Sequence, residues 1–177
     1  HLHVTVALTT CLLLGLSENE RQALLADDAL VAQTPFAVMV RGDFSGIQNF
    51  IYHVTRPVAD TSFRGISKRL RGRSFYLTLL AEVLTDWLMR KLGLSPANIL
   101  FCGGGRFDLL LPQDSATLQT FAQCETQIQD WLLETFEGEL GLQFATRLIT
   151  ADDLVKVSAI YNDLESDLGI SKTRKWH

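Results

Sequence analysis

From Phe36 onward the chain alternates strand-like and helix-like hydrophobic periods in a fixed order, and that order constrains the fold more than any other feature. Phe36 to Phe44 is rich in β-formers, and Ile47, Phe50, Ile51 and Val54 then fall on one helical stripe. Thr55 to Arg73, with its glycines and cations, reads as a loop. It leads into a long apolar helix carrying Phe75, Leu79, Val83, Trp87 and Leu92, stopped by Gly93. Asn98 to Cys102 and Phe107 to Leu111 read as short strands joined by a tight hairpin at Gly103, Gly104 and Gly105. Asp114 or Ser115 caps a helix with Leu118, Phe121, Ile128, Trp131 and Leu132 on it, Trp87 and Trp131 being most simply core residues. Leu142 to Ile149 alternates as a strand, and Thr150 opens a last amphipathic helix with Leu154, Val157, Tyr161, Leu164 and Leu168. The order β-α-(α)-β-β-α-β-α predicts an α+β, ferredoxin-like (split βαβ) fold: an antiparallel sheet with helices on one face.

Short helices precede this unit. Val4, Leu8, Cys11 and Leu12 share a face ended by Gly15, and Ser17 with Glu20 forms a capping box for a second helix to about Leu30. Ala32 to Pro35 reads as a linker. We therefore expect residues 1–33 to be the helical remnant of a preceding domain, and residues 34–177 to be the main domain. Both ends read as lying inside a longer chain. The apolar run at the start is short for a membrane span and lacks the basic flank and cleavage site of a signal peptide. Cys11, Cys102 and Cys124 stand far apart without a C-x-x-C pair, which suits reduced thiols in a cytoplasmic protein better than disulfides or a zinc site. A net charge of −4 argues against a general nucleic-acid coat but leaves room for a local basic patch.

Three segments bear on chemistry. In Gly42-Asp43-Phe44-Ser45-Gly46-Ile47-Gln48, Asp43 ends a strand and S-x-x-Q makes a capping box for the next helix. Exposed amides beside a carboxylate suit a phosphate with a divalent cation bridging it to Asp43; the plainer reading is a cap and a turn residue. In Cys102-Gly103-Gly104-Gly105-Arg106-Phe107-Asp108, the hairpin lacks the paired carboxylates that two-metal chemistry needs. Asp108 lies on the same strand face as Arg106 and is expected either to pair with it or to face a metal. The glycines allow a ligand to approach the backbone, and equally satisfy a turn that needs positive φ. Arg64, Lys68, Arg69, Arg71 and Arg73 place five cations in ten residues, read either as phosphate contacts or as a solvated loop. The histidines, including a partly exposed His53, form no helical metal signature, and no catalytic Ser-His-Asp or cysteine pattern stands out.

Taken together, "GDFSGIQNFIY", "KRLRGRSFYLTLLAE" and "NILFCGGGRFDLLLP" resemble, in order and spacing, the first palm domain of the large signature subunit of type III CRISPR–Cas effector complexes, nearest the Csm-type branch. "ISKTRKW" is similar to the segment that leaves that palm. "HLHVTVALTTCLLL" resembles the last helix of the family's HD nuclease domain, with His1 at the place of that motif's final histidine, a metal ligand. The resemblance implies two facing palms that bind ATP, with divalent metal (Mg or Mn), and make cyclic oligoadenylates when the complex meets target RNA. The acidic Gly-Gly-Asp-Asp hairpin belongs to the second palm; at the matching positions this chain has Gly103, Gly104, Gly105 and Arg106. It therefore implies no catalytic residue here, nucleotide contact at Asp43, Ser45, Gly46, Gly103, Gly104 and Gly105, and phosphate or RNA contact at Lys68, Arg69, Arg71 and Arg73. Implied partners are guide RNA, target RNA and other effector subunits in the cytoplasm, without a membrane. Two alternatives stand beside it: a purely structural palm in an RNA-guided complex, and a stand-alone GGDEF-type cyclase, which the missing hairpin carboxylates disfavour.

Overall fold

The computed structural model describes residues 2–52 and 63–174. Three helices lead: α1 (Leu2–Gly15), α2 (Glu18–Ala26) and α3 (Asp28–Gln33). Then follow β1 (Ala37–Ser45), α4 (Ile47–Tyr52), α5 (Phe63–Leu92), a 3₁₀ turn at Pro96–Asn98, β2 (Ile99–Gly103) and β3 (Arg106–Pro112). The chain continues through α6 (Ser115–Phe136), β4 (Gly141–Ile149), α7 (Ala151–Val155) and α8 (Val157–Arg174). The strands form one antiparallel sheet in the order β2-β3-β1-β4. This is the split βαβ arrangement that the element order predicts, with β1 and β3 at the centre.

The sheet is covered on both faces, not on one. Val38, Val40 and Phe44 of β1 and Phe107, Leu109 and Leu111 of β3 point towards α5 and α6, meeting Leu77, Leu84, Leu88, Phe121, Ile128 and Leu132. Ala37, Met39 and Leu110 point the other way, into a second core with Ala7 and Cys11 of α1 and Ile160, Leu164 and Leu168 of α8. Central strands buried on both sides need apolar residues at successive positions, not at alternate ones. The unbroken runs at Phe36–Val40 and Leu109–Leu111 carry that signal.

Local signals place most element ends. The capping box at Ser17 forms, with the Ser17 amide donating to Glu20 Oε2 at 2.7 Å, and a second one forms between Thr150 and Asp153. Asp114 caps α6 through the Thr117 amide at 2.9 Å. The presumed linker at Ala32–Pro35 is shorter than expected, because α3 continues through Gln33. Trp131 is not a core residue. It is 40% exposed and, with Trp87, Leu80 and Val83, walls an apolar groove of about 380 Å³ between α5 and α6. No single helix among the described residues is long and apolar enough to cross a membrane.

Packing of α1 makes a direct prediction. Cys11 is fully buried against the sheet, and burial pushes its thiol up to about 12. Only the thiolate is nucleophilic, so Cys11 is expected to stay unreactive towards an aromatic disulfide reagent at pH 8 until the chain is unfolded in guanidinium. Labelling of Cys11 in the native chain at the unfolded rate would mean that α1 does not dock as described.

Candidate functional site

The end of β1 and the β2–β3 hairpin, widely separated in sequence, form one junction. Asp43 lies opposite Arg106 in the β1–β3 register, and the Phe44 amide donates to the Gly105 carbonyl at 2.9 Å. The glycines divide by what their missing side chains allow. Gly46 has φ +85°, and a Cβ there would stand 2.0 Å from the Glu139 carbonyl oxygen. Gly105 has φ +83°, with a Cβ position 2.7 Å from Ile47 Cδ1. At Gly46 the close backbone requires a glycine; at Gly105 the demand is the positive φ, since the Ile47 side-chain end could shift. Gly104 is different, because nothing lies within 4 Å of its Cβ position and the backbone there is open to a ligand.

Ser45 is the last residue of β1, not the helix cap. The first helical hydrogen bond of α4 runs from the Phe50 amide to the Gly46 carbonyl at 2.9 Å, which makes Gly46 the cap. The S-x-x-Q pattern misled by one position because the strand pairing extends to Ser45 opposite Gly141.

The basic run also departs from expectation. Residues 63–73 are the first turns of α5, so Lys68, Arg69, Arg71 and Arg73 project from a helix and not from a loop. Gly72 sits on an exposed face where it costs helix propensity but breaks nothing. Arg73 is committed to structure: its Nη1 donates to the Phe50 carbonyl at 2.6 Å, with the guanidinium 5.6 Å from the Phe50 ring centre. Lys68, Arg69 and Arg71 are exposed, and Arg71 Nε donates to the Ser67 carbonyl at 3.3 Å. Through Arg73 and α4, the basic turns are tied to the Asp43–Gly46 segment.

Charges on the α8 side of the sheet escaped the sequence reading. Asp108 pairs with Arg41 and not with Arg106: Arg41 Nε and Nη2 donate to its two carboxylate oxygens at 2.7 and 3.0 Å. Cross-strand neighbours stand closer than residues two apart on one strand, and the register puts Arg41 directly opposite Asp108. The two side chains are 6% and 4% exposed. The Tyr161 ring lies 4.7 Å from the Arg41 guanidinium carbon. Burial raises the Tyr161 phenol, Asp108 adds to the rise, and Arg41 opposes it. The Asp108 side-chain bond keeps Arg41 firmly charged, against the pull of burial. Glu165 of α8 spans the network, accepting from Arg41 Nη1 and from Arg106 Nη2, each at 3.2 Å. Arg106 Nη2 also lies 3.9 Å from Asp43 Oδ2. A charged residue inside a strand as apolar as β1 was the one available signal for Arg41; nothing local marked Glu165.

The donors present among the described residues do not make a metal site by themselves. Among the described residues no three His, Cys, Asp or Glu side chains come together, and Asp43 faces a guanidinium. Two-metal chemistry needs at least two carboxylates at one place. His1, like His53, lies outside the described residues.

Comparison with known proteins supplies the family. The family model for Csm1 subunit domain B matches residues 36–177. The chain is 33% identical over 171 residues to the CRISPR system single-strand-specific deoxyribonuclease Cas10/Csm1 (subtype III-A) of Enterococcus italicus, covering 93% of this chain and 22% of that protein. A Csm1–Csm4 cassette crystallised in complex with cA3 superposes with a TM-score of 0.70 at 26% identity, covering 86% of this chain and 21% of that one. A Csm1–Csm4 cassette in complex with one ATP gives 0.56 at 29% identity, covering 66% and 15%. The chain thus spans between 15% and 22% of the length of these proteins. The match to the domain B model over residues 36–177, with 33% identity along 93% of the chain, places the chain and its palm-like sheet in the Cas10/Csm1 family of type III CRISPR large subunits.

Proposed function

We propose that this domain is the ATP-binding, non-catalytic half of a cyclic oligoadenylate synthase within a cytoplasmic, RNA-guided type III CRISPR effector. The observation that carries the reading is the junction itself: the end of β1 and a glycine hairpin meet, backbone is open at Gly104, and the hairpin has no carboxylate. Similarity to Csm1–Csm4 cassettes solved with ATP and with cA3 supports it. In this reading Asp43, Ser45, Gly46, Gly103, Gly104 and Gly105 contact one nucleotide, fixing its position by backbone and hydroxyl hydrogen bonds. Lys68, Arg69 and Arg71 face phosphates of ATP or RNA, while Arg73 holds α5 against α4. The bond-making groups, and the remaining donors for any divalent metal, come from a second palm outside this chain, with Asp43 the carboxylate that would bridge that metal to the phosphates. Guide RNA, target RNA and other effector subunits complete the assembly.

The test is ATP use by the full-length protein in its complex. Loss of one hydrogen-bonding group to a charged ligand corresponds to about a tenfold effect, so Ser45→Ala and Asp43→Ala are each expected to weaken ATP binding by about that factor and to lower oligoadenylate yield. Unchanged ATP affinity in both variants would remove the site assignment. A purely structural role is the second reading, favoured by the open apolar groove at Trp87 and Trp131, which suits a protein partner. It gains if ATP use is insensitive to every residue at the junction while truncating Trp131 disrupts the complex.

A further inference from the structure

We propose that Arg106 is a ligand-binding residue of the junction: the cation that takes the phosphate chain of the nucleotide, held in reserve by Glu165 until the ligand arrives. The inference rests on the reading of the junction as a nucleotide site, and it adds a residue and a competition that this reading does not contain.

The two arginines of the network differ in how firmly they are held. Arg41 is buried and bound at both fork positions by Asp108, so it stays in place whatever Glu165 does. Arg106 is 34% exposed, sits at the hairpin beside open Gly104, and meets its carboxylates through Nη2, at 3.2 Å from Glu165 and 3.9 Å from Asp43. Glu165 is 59% exposed, and ion pairs between solvated side chains are weak. A phosphate carries more charge than a carboxylate and accepts two parallel guanidinium hydrogen bonds, the geometry for which arginine is suited. A triphosphate reaching the hairpin therefore displaces Glu165 from Arg106. Glu165 keeps its second partner, Arg41, and α8 stays docked through Ile160, Leu164 and Leu168. The carboxylate acts as a competitor that lowers apparent affinity, and so it screens against ligands without a phosphate chain.

The experiment titrates the full-length protein with ATP and, separately, with adenosine. Arg106→Ala is expected to weaken ATP binding about tenfold or more, as for loss of a charge-assisted bond, and to leave adenosine binding unchanged. Arg106→Lys is expected to restore part of it through charge alone. Glu165→Gln is expected to tighten ATP binding by about two- to fivefold, the scale of an exposed ion pair. That gain must vanish in the Arg106→Ala/Glu165→Gln double variant and shrink at high salt. Thermal unfolding of Glu165→Gln checks that the fold is intact. If Ser45→Ala weakens ATP binding while Arg106→Ala does not, the present inference falls and the site reading survives. If Glu165→Gln weakens binding, or its gain persists without Arg106, the competition is wrong. If neither Ser45, Asp43 nor Arg106 affects ATP, the junction is not the nucleotide site and both readings fall together.

Discussion

Arg41→Met is expected to destabilise the chain by about 3–5 kcal/mol, because removing one partner of a buried ion pair strands the other charge without water or counter-charge. Asp108 is 4% exposed and receives two hydrogen bonds from Arg41. Its neighbourhood is otherwise the apolar interior between the central strands and α8. Urea unfolding measures the loss, and the informative variant is the double one. Arg41→Met with Asp108→Leu removes both charges at once and is expected to recover most of the stability, since a buried pair offsets its own desolvation poorly. If the single and double variants are equally unstable, the pair contributes packing and not electrostatics. Glu165 cannot rescue Arg41→Met, because it carries the same charge as the stranded Asp108.

Gly46→Ala carries the second large effect. Its Cβ would stand 2.0 Å from the Glu139 carbonyl oxygen, a backbone atom that cannot swing aside, at a residue with φ +85°. Overpacking and the left-handed backbone add to about 3–4 kcal/mol. Gly104→Ala is the matched control. It shares the left-handed backbone, at φ +64°, but its Cβ meets nothing within 4 Å, so only the backbone cost of about 1 kcal/mol applies. Chemical denaturation of the two variants side by side separates steric demand from backbone demand. A similar loss in both would mean that the approach of Gly46 to the segment before β4 is not close in solution.

The chain was legible where its signals are local. Helix ends at Ser17, Asp114 and Thr150, the stop at Gly93 and the glycine hairpin all follow from residues within four positions of one another. The same local logic failed at residues 63–73, where two glycines and five cations read as a loop. The apolar face that Leu77, Leu80, Ala81, Leu84 and Leu88 present to the core continues α5 backwards through them. Tertiary burial of one helical face outweighs the propensity of a few exposed residues. At Ser45, pairing with β4 holds the residue in the strand, so the helix starts one position later than the pattern suggests.

The hairpin marks the same division at the candidate site. Sequence by itself determined that Gly103, Gly104 and Gly105 turn between two strands, that Arg106 follows them, and that the acidic pair of a catalytic palm is missing. It also determined the order of elements and hence the antiparallel sheet. Only the tertiary structure decided which charges meet. Arg41 and Asp108 are 67 residues apart, and Arg41 and Glu165 are 124 apart. Their pairing depends on the β1–β3 register and on α8 lying across the second face of the sheet. Electrostatic partners are set by distance in space, and a one-residue slip of β1 against β3 would turn Arg41 to the opposite face, away from Asp108 and Glu165.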